Sequence, residues 1–323
     1  MKMHFTEKDF DQYADFLGKQ ESQDLRQPTD FIRGVQRLAE TGERQDGDSL
    51  PWSDAPDHWR LRSSELTIWA GVNGHGKSLL LGMIMLWQMA KKRVVIASLE
   101  MLPAQTLYRM CCQFAGCRPD ANYSKKIVES MVGKLWLYDQ QDTVSMLRIL
   151  AMVIYCAKEL QADHVVIDSL LKCGIGEDDY NKQKEFIDRL QWIAKTNSIH
   201  IHLVAHMRKK ENEHYQSGKL DIRGTSAISD LADNVVIVSR NKRKEKMQEK
   251  SQLEGSLSPT DEPVLDQHDA FLTIEKNRHG QKEGTIGLFF DKVSYQYKRK
   301  DTTQAMLPPW HVNRGFELTG EIA

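Results

Sequence analysis

The stretch Gly71-Val72-Asn73-Gly74-His75-Gly76-Lys77-Ser78 satisfies the pattern G-x-x-x-x-G-K-[ST] at every fixed position. A short apolar run, Leu66 to Ala70, precedes it, and a largely apolar stretch, Lys77 to Ala90, follows. The pattern therefore commits this part of the chain to strand, glycine-rich turn and helix, the setting of a phosphate-binding P-loop. Glycines let backbone N–H groups curl around a phosphate without Cβ clashes, and the positive end of the following helix faces the same phosphate. Lys77 would contact the β- and γ-phosphates, and the Ser78 hydroxyl would hold Mg²⁺. The candidate nucleotide-binding set is Gly71, Asn73, Gly74, His75, Gly76, Lys77, Ser78 and Leu79.

Apolar runs at 93–98, 135–138, 164–168 and 199–205 read as further strands, and 103–114, 144–160 and 182–196 as helices. Strands alternating with helices of this length predict an α/β fold with a mostly parallel central sheet covered on both faces. Residues 206–223 read as a long polar loop, 225–232 as a short helix and 235–239 as a strand. The charged segment 241–269 reads as a flexible insertion; 271–275, 285–290 and 294–297 read as antiparallel strands that close the domain. Upstream, 29–39 has the spacing of an amphipathic helix, with Phe31, Ile32, Val35 and Leu38 on one face, and 43–56 reads as a linker. The expected division is an N-terminal region 1–60 carrying a linker helix at about 29–40, a main domain 61–300 and a tail 301–323.

Lys+Arg (44) and Asp+Glu (45) nearly cancel, giving a net charge of −1. That excludes a protein with a positive field over its whole surface and leaves only local basic loops for a polyanion. No apolar run approaches the roughly 20 residues a membrane helix needs. The opening MKMHFTEKDFDQYADF has no apolar signal core, so a cytoplasmic protein is expected. The five cysteines are odd in number and form no C-x-x-C pair, which predicts reduced thiols.

Three further residues are candidates for chemistry. Asp168 ends the strand HVVID, where Mg²⁺ beside a P-loop needs a charge, so Ser78 and Asp168 form the candidate metal set. Glu100 follows RVVIASL at the same end of the sheet, where it would activate the attacking water; a helix-capping role fits its spacing equally well. His206 follows the strand IHIHLVA, where it could bond the γ-phosphate or be a surface-loop histidine, whereas His200 and His202, inside the strand, read as packed residues.

Taken in order, Glu65-Leu66-Thr67-Ile68, the P-loop, Ser98-Leu99-Glu100-Met101, Val166-Ile167-Asp168, Val204-Ala205-His206, Asp221-Ile222-Arg223-Gly224-Thr225-Ser226-Ala227 and Lys276-Asn277-Arg278 resemble the RecA-type motor of the DnaB-like replicative helicases. The pattern is most similar to the helicase half of phage primase–helicases and Twinkle, over about residues 60–298. The resemblance implies a RecA-like P-loop NTPase core that uses ATP and Mg²⁺, with Glu100 as catalytic glutamate, Asp168 as Walker B aspartate and His206 as γ-phosphate sensor. It implies that Arg223, Gly224 and Thr225, helped by Lys209 and Lys210, grip single-stranded DNA in a central pore. It implies that Arg240, Lys276 and Arg278 reach the ATP of the adjacent subunit. A homohexamer acting on single-stranded and fork DNA follows, in a bacterial or phage setting. Residues 1–60 are too short for a primase, so a separate primase is expected. A DNA-dependent RecA-type ATPase without unwinding, and an ATP-gated loader, are the rival readings; Glu100 argues against the second.

Overall fold

The computed structural model describes residues 27–41, 47–52, 59–208, 218–224, 226–254, 258, 261–280, 283–302 and 304–311. After a 3-10 turn at Pro28–Phe31 come α1 (Ile32–Thr41), β1 (Asp48–Ser49), β2 (Arg60–Leu61), β3 (Leu66–Gly71), α2 (Lys77–Gln88) and β4 (Val94–Ser98). Next are α3 (Pro103–Ala115), α4 (Ala121–Ser130), β5 (Leu135–Leu137), α5 (Met146–Lys158), β6 (His164–Asp168), α6 (Tyr180–Asn197) and β7 (His200–His206). The chain continues through α7 (Ala227–Leu231), β8 (Asn234–Arg240), α8 (Lys242–Glu254), α9 (Glu262–Leu265), β9 (Ala270–Asn277), β10 (Gly284–Phe290) and β11 (Tyr297–Lys298).

Nine of these strands form one sheet in the order β11-β10-β9-β8-β3-β7-β6-β4-β5. The block from β8 to β5 is parallel and the block from β8 to β11 antiparallel. Every residue of β3, β4, β6 and β7 is buried, because helices cover both faces. Side-chain alternation splits the apolar strand residues between two cores. Leu66, Ile68 and Ala70 face α5 and α6, with Ile149, Phe186 and Leu190. Trp69 faces the other way, with Ile84, Leu86 and Phe114 of α2 and α3.

Register fixes what gathers at the carboxyl edge. Gly71 lies opposite His206, Ser98 opposite Asp168 and Ala70 opposite Ile237. Side by side across that edge therefore run Arg240, the P-loop, His206, Asp168 and Glu100.

Four parts of the fold differ from the sequence reading. Residues 121–130, assigned to no element in the sequence reading, form a helix that lays Tyr123, Ile127 and Val128 against the core of α2 and α3; Asp120 starts it by accepting the Tyr123 N–H at 2.7 Å. The segment 241–269 is helical at 242–254 and 262–265 rather than a flexible loop. Asn241 receives the Lys244 N–H at 3.0 Å, and the buried Lys244 ammonium bonds Gln267 O at 2.6 Å and Asp269 at 2.8 Å, over the Phe289 ring. The last strand starts at Tyr297, because Asp291 accepts the N–H groups of Val293 (2.9 Å) and Ser294 (3.2 Å) and folds that segment into a turn. In the tail, Trp310 is buried against Phe114 and donates to Leu86 O at 2.8 Å.

Helix α1 forms as its spacing predicts, yet Ile32, Val35 and Leu38 on its apolar face are 48%, 63% and 40% exposed. The five cysteines are free, and Cys117 alone among them is exposed. Among the described residues, no helix is long and apolar enough to cross a membrane.

Candidate nucleotide site

The turn between β3 and α2 is shaped by close approach. A Cβ on Gly71 would lie 2.4 Å from Val238 O and 3.3 Å from the Lys77 stem. Gly76 has φ +86°, and a Cβ there would lie 2.2 Å from the Tyr297 hydroxyl. Any other residue at these two positions would push the loop off β8 or β11. No side chain caps the N-terminus of α2, so its first N–H groups face the loop cavity. The Lys77 ammonium lies inside that curl, 2.8 Å from Gly71 O and 3.2 Å from Val72 O. Burial pulls its pKa below the usual lysine range, opposed by the carboxylates of Asp168 and Glu100. Burial, then Lys242, Lys77 and Arg240, lower the His75 pKa to about 4, so this imidazole is neutral at neutral pH.

Asp168 is buried at the end of β6, and the neighbouring Ser78 hydroxyl favours its ionised form. Burial raises its pKa, with a further push from Glu100, so the site favours any cation that compensates the carboxylate. A hydroxyl and a carboxylate are hard oxygen donors of the kind Mg²⁺ takes, and the open N–H groups of α2 match phosphate oxygens. The residues present fit a magnesium-bound nucleoside triphosphate.

Glu100, Ser169 and His206 close the site. The Ser169 hydroxyl donates to Glu100 Oε1, so the His206 Nε2–H donates to Ser169 Oγ (3.1 Å), with Glu100 Oε1 at 3.3 Å. These hydrogen bonds, His206 first, hold the Glu100 carboxyl at about 2 against its burial. Ser169 was invisible to sequence reasoning, because nothing in the string brings it to Glu100; the strand pairing of β4 with β6 does that.

His206 also faces the other way through its backbone. Its carbonyl accepts the Arg223 N–H at 2.9 Å, and Met207 pairs with Ile222 in an isolated antiparallel bridge. Arg223 and Gly224 thus sit directly behind the Glu100–Ser169–His206 cluster. Lys209, Lys210 and Thr225 lie outside the described residues.

The three candidate trans-acting cations separate. Arg240 lies on the P-loop of its own chain, donating to Gly74 O (3.1 Å) and, through Nε, to Glu245 (2.6 Å). β8 runs parallel to β3, so its last residue emerges beside its own P-loop. Lys276 and Arg278 sit at the opposite edge, because β9 is antiparallel to β8 and Asn277 pairs with Asn234. Six strand residues at about 3.3 Å each put them about 20 Å from the P-loop edge, beyond reach of it. Lys276 bonds Ser229 O (3.0 Å) and Asp230 O (2.7 Å), and Arg278 bonds Asp233 (3.0 Å).

A second titratable cluster, His164, His200 and His202, has its ligand atoms within 4.8 Å of one another but is a packing network. Trp69 Nε1–H points at His202 Nδ1 (3.1 Å), so the proton of His202 is on Nε2 and points at His164 Nδ1 (3.1 Å). His200 is held by Thr67 (2.8 Å) and Arg62 O (2.5 Å). With these protons assigned, the lone pairs do not converge, and His200 and His202 are packed residues as their strand positions predict.

A mostly parallel sheet with a P-loop after its central strand, two carboxylates at neighbouring strand ends and an antiparallel extension define a RecA-like nucleotide-binding core. The sequence matches the family described as DnaB-like helicase C terminal domain over residues 59–299. This chain belongs to that family, a helicase and NTPase family. Among solved structures, an ATPase domain is similar with a TM-score of 0.66 at 13% identity, covering 84% of this chain and 97% of that one. A DnaB-like replicative helicase, described with its interactions with primase, is similar with a TM-score of 0.63 at 12% identity, covering 90% of this chain and 71% of that one.

Proposed function

We propose that this chain is the motor of an ATP-dependent replicative DNA helicase that forms a ring, as a homohexamer, and moves along single-stranded DNA. The observation that carries the reading is His206. Its imidazole bonds the Ser169–Glu100 pair where a γ-phosphate would lie, and its carbonyl bonds the segment bearing Arg223.

In this reading the P-loop N–H groups and Lys77 bind the phosphates of ATP, and Glu100 orients the attacking water. Bound Mg²⁺ would supply positive charge to the phosphate oxygens, held by Ser78 and Asp168. His206 turns from Ser169 toward the γ-phosphate, which frees Glu100 from one hydrogen bond and shifts the backbone at Arg223. Arg223, Gly224 and Thr225, with Lys209 and Lys210, hold the DNA backbone without reading its sequence. Lys276 and Arg278, too far from their own P-loop to act on it, serve the ATP of the next subunit, where cationic charge stabilises the transition state. Arg240 serves its own. The exposed apolar face of α1 supplies a surface for a neighbouring subunit. A separate primase and fork DNA are the expected partners.

The test is ATP hydrolysis with and without single-stranded DNA, beside a Lys77→Ala control. Stimulation by DNA that vanishes in the control supports a motor and makes fork unwinding the next assay. Turnover indifferent to DNA points to a RecA-type ATPase of another kind, and absent turnover at every protein concentration to an ATP-gated module.

A further inference from the structure

We propose that Glu177 is an internal stand-in for the DNA phosphate on Arg223, so that a single strand must displace this carboxylate to be gripped. The inference rests on the reading of Arg223 as a DNA contact.

Glu177 Oε1 lies 3.3 Å from the Arg223 guanidinium, with the two side chains 53% and 38% exposed. An ion pair so exposed adds little to stability and exchanges readily, which suits an occupant that has to leave. The backbone that presents it is built in. Gln183, buried at the start of α6, donates to Gly176 O and Glu177 O, both at 2.8 Å. Asp179 caps the same helix by accepting the Lys182 N–H at 3.1 Å. The other end of the Gln183 amide fills the space a Cβ on Gly224 would need, 2.3 Å from Oε1. One buried side chain thus wedges the turn of Glu177 against the segment of Arg223, and only the tips of the ion pair are left to move.

The two residues border a polar groove of about 420 Å³ lined with Asp178, Tyr180, Arg208 and Gly224. Among the described lining residues two arginines balance two carboxylates, so the attraction for an incoming phosphate rises when Glu177 swings away. The same pairing bears on the nucleotide site, because the Arg223 N–H is bonded to the His206 carbonyl. A vacant pore would therefore hold the sensor histidine in its resting position, on Ser169 and Glu100.

The experiment is binding of a fluorescein-labelled oligothymidylate to the full chain, with a non-hydrolysable ATP analogue, across a salt series. The variants are Glu177→Gln, Glu177→Asp, Arg223→Ala and the double variant Glu177→Gln with Arg223→Ala. Glu177→Gln is expected to bind about two- to fivefold more tightly per engaged subunit. Its slope of log K against log salt should steepen by about 0.7 per engaged subunit, since the phosphate is then neutralised with no carboxylate beside it. Glu177→Asp, which draws the carboxylate back by one methylene, should fall between wild type and Glu177→Gln. In the double variant the gain should disappear. A Glu177→Gln protein that melts like wild type but binds no more tightly overturns the proposal, as does an equal gain in the absence of Arg223. Were Arg223→Ala to bind as well as wild type, the DNA reading itself would fall. Loss of binding in Arg223→Ala with no gain in Glu177→Gln would overturn the stand-in alone.

Discussion

Asp233 ties three elements together at the amino edge of the sheet, and replacing it by alanine measures that tie. The residue is fully buried. Oδ2 accepts the backbone N–H of Leu66 at 3.0 Å, and Oδ1 accepts from Gln191 at 3.1 Å and from Arg278 at 3.0 Å. Alanine leaves the buried Leu66 N–H without its carboxylate acceptor, and Gln191 keeps only its bond to Leu231 O at 2.9 Å. Each orphaned buried group costs about 1–3 kcal/mol, and removing one partner of a buried pair about 3–5 kcal/mol. Because the Arg278 side chain is 35% exposed, water recovers part of its loss. The expected sum for Asp233→Ala is about 3–4 kcal/mol. Arg278→Ala should cost less, about 1–2 kcal/mol, since two neutral donors still serve the carboxylate. Urea unfolding followed by tryptophan fluorescence reads both as shifts in midpoint at constant slope. A loss below about 1 kcal/mol for Asp233→Ala would refute the reasoning.

Ser169→Ala removes the hydroxyl between Glu100 and His206 and should lower DNA-stimulated kcat by about ten- to a hundredfold, the worth of a hydrogen bond to a charged group, with KM for ATP little changed; an unaltered kcat would show the hydroxyl to be incidental. Arg278→Ala and Lys77→Ala, each inactive alone, should regain turnover when mixed, because mixed interfaces join an intact P-loop to an intact cation; no recovery in the mixture counts against action between subunits. Burial depresses the His200 pKa to about 3 and His202 well below its usual range, so the unfolded chain binds more protons than the folded one between about pH 3 and 6.5. Their stabilising contribution is complete above pH 6.5 and is lost as pH falls toward 3, and His200→Gln should flatten that limb of a stability–pH curve. Glu65 has the opposite sign: burial raises its carboxyl to about 7, so the folded state holds the extra proton and stability declines as pH rises from about 4.5 to 7. Glu65→Gln keeps an acceptor for Asn234 and should remove that decline, measured by the same unfolding series.

What the sequence made legible was whatever chemistry requires in one contiguous stretch or at a strand end. The P-loop needs its glycines, lysine and serine in order, so it could be read letter by letter. Asp168, Glu100 and His206 were readable because a buried parallel strand announces itself as an apolar run and its carboxyl end is where ligands bind. Ser169, Glu177 and Gln183 were not, because their partners arrive from 69, 46 and 41 residues away and no local pattern marks them. The helix at 242–254 escaped because the periodic apolar face that betrays a helix is missing; what seats it is one buried lysine on a backbone carbonyl and a carboxylate. For Arg240, Lys276 and Arg278 the motif gave the residue types, and only the antiparallel return of β9 showed that they lie at opposite ends of one sheet.

The double attachment of His206 carries a thermodynamic obligation. His206 belongs to the candidate nucleotide site and is joined to the segment proposed to hold DNA by the 2.9 Å bond from the Arg223 N–H, one of two that flank the Met207–Ile222 bridge. Coupling between two ligands is reciprocal: if ATP tightens the grip on DNA tenfold, DNA must tighten ATP tenfold, about 1.4 kcal/mol in either direction. A substitution that weakens the bond would therefore be seen equally in two binding isotherms measured on different ligands.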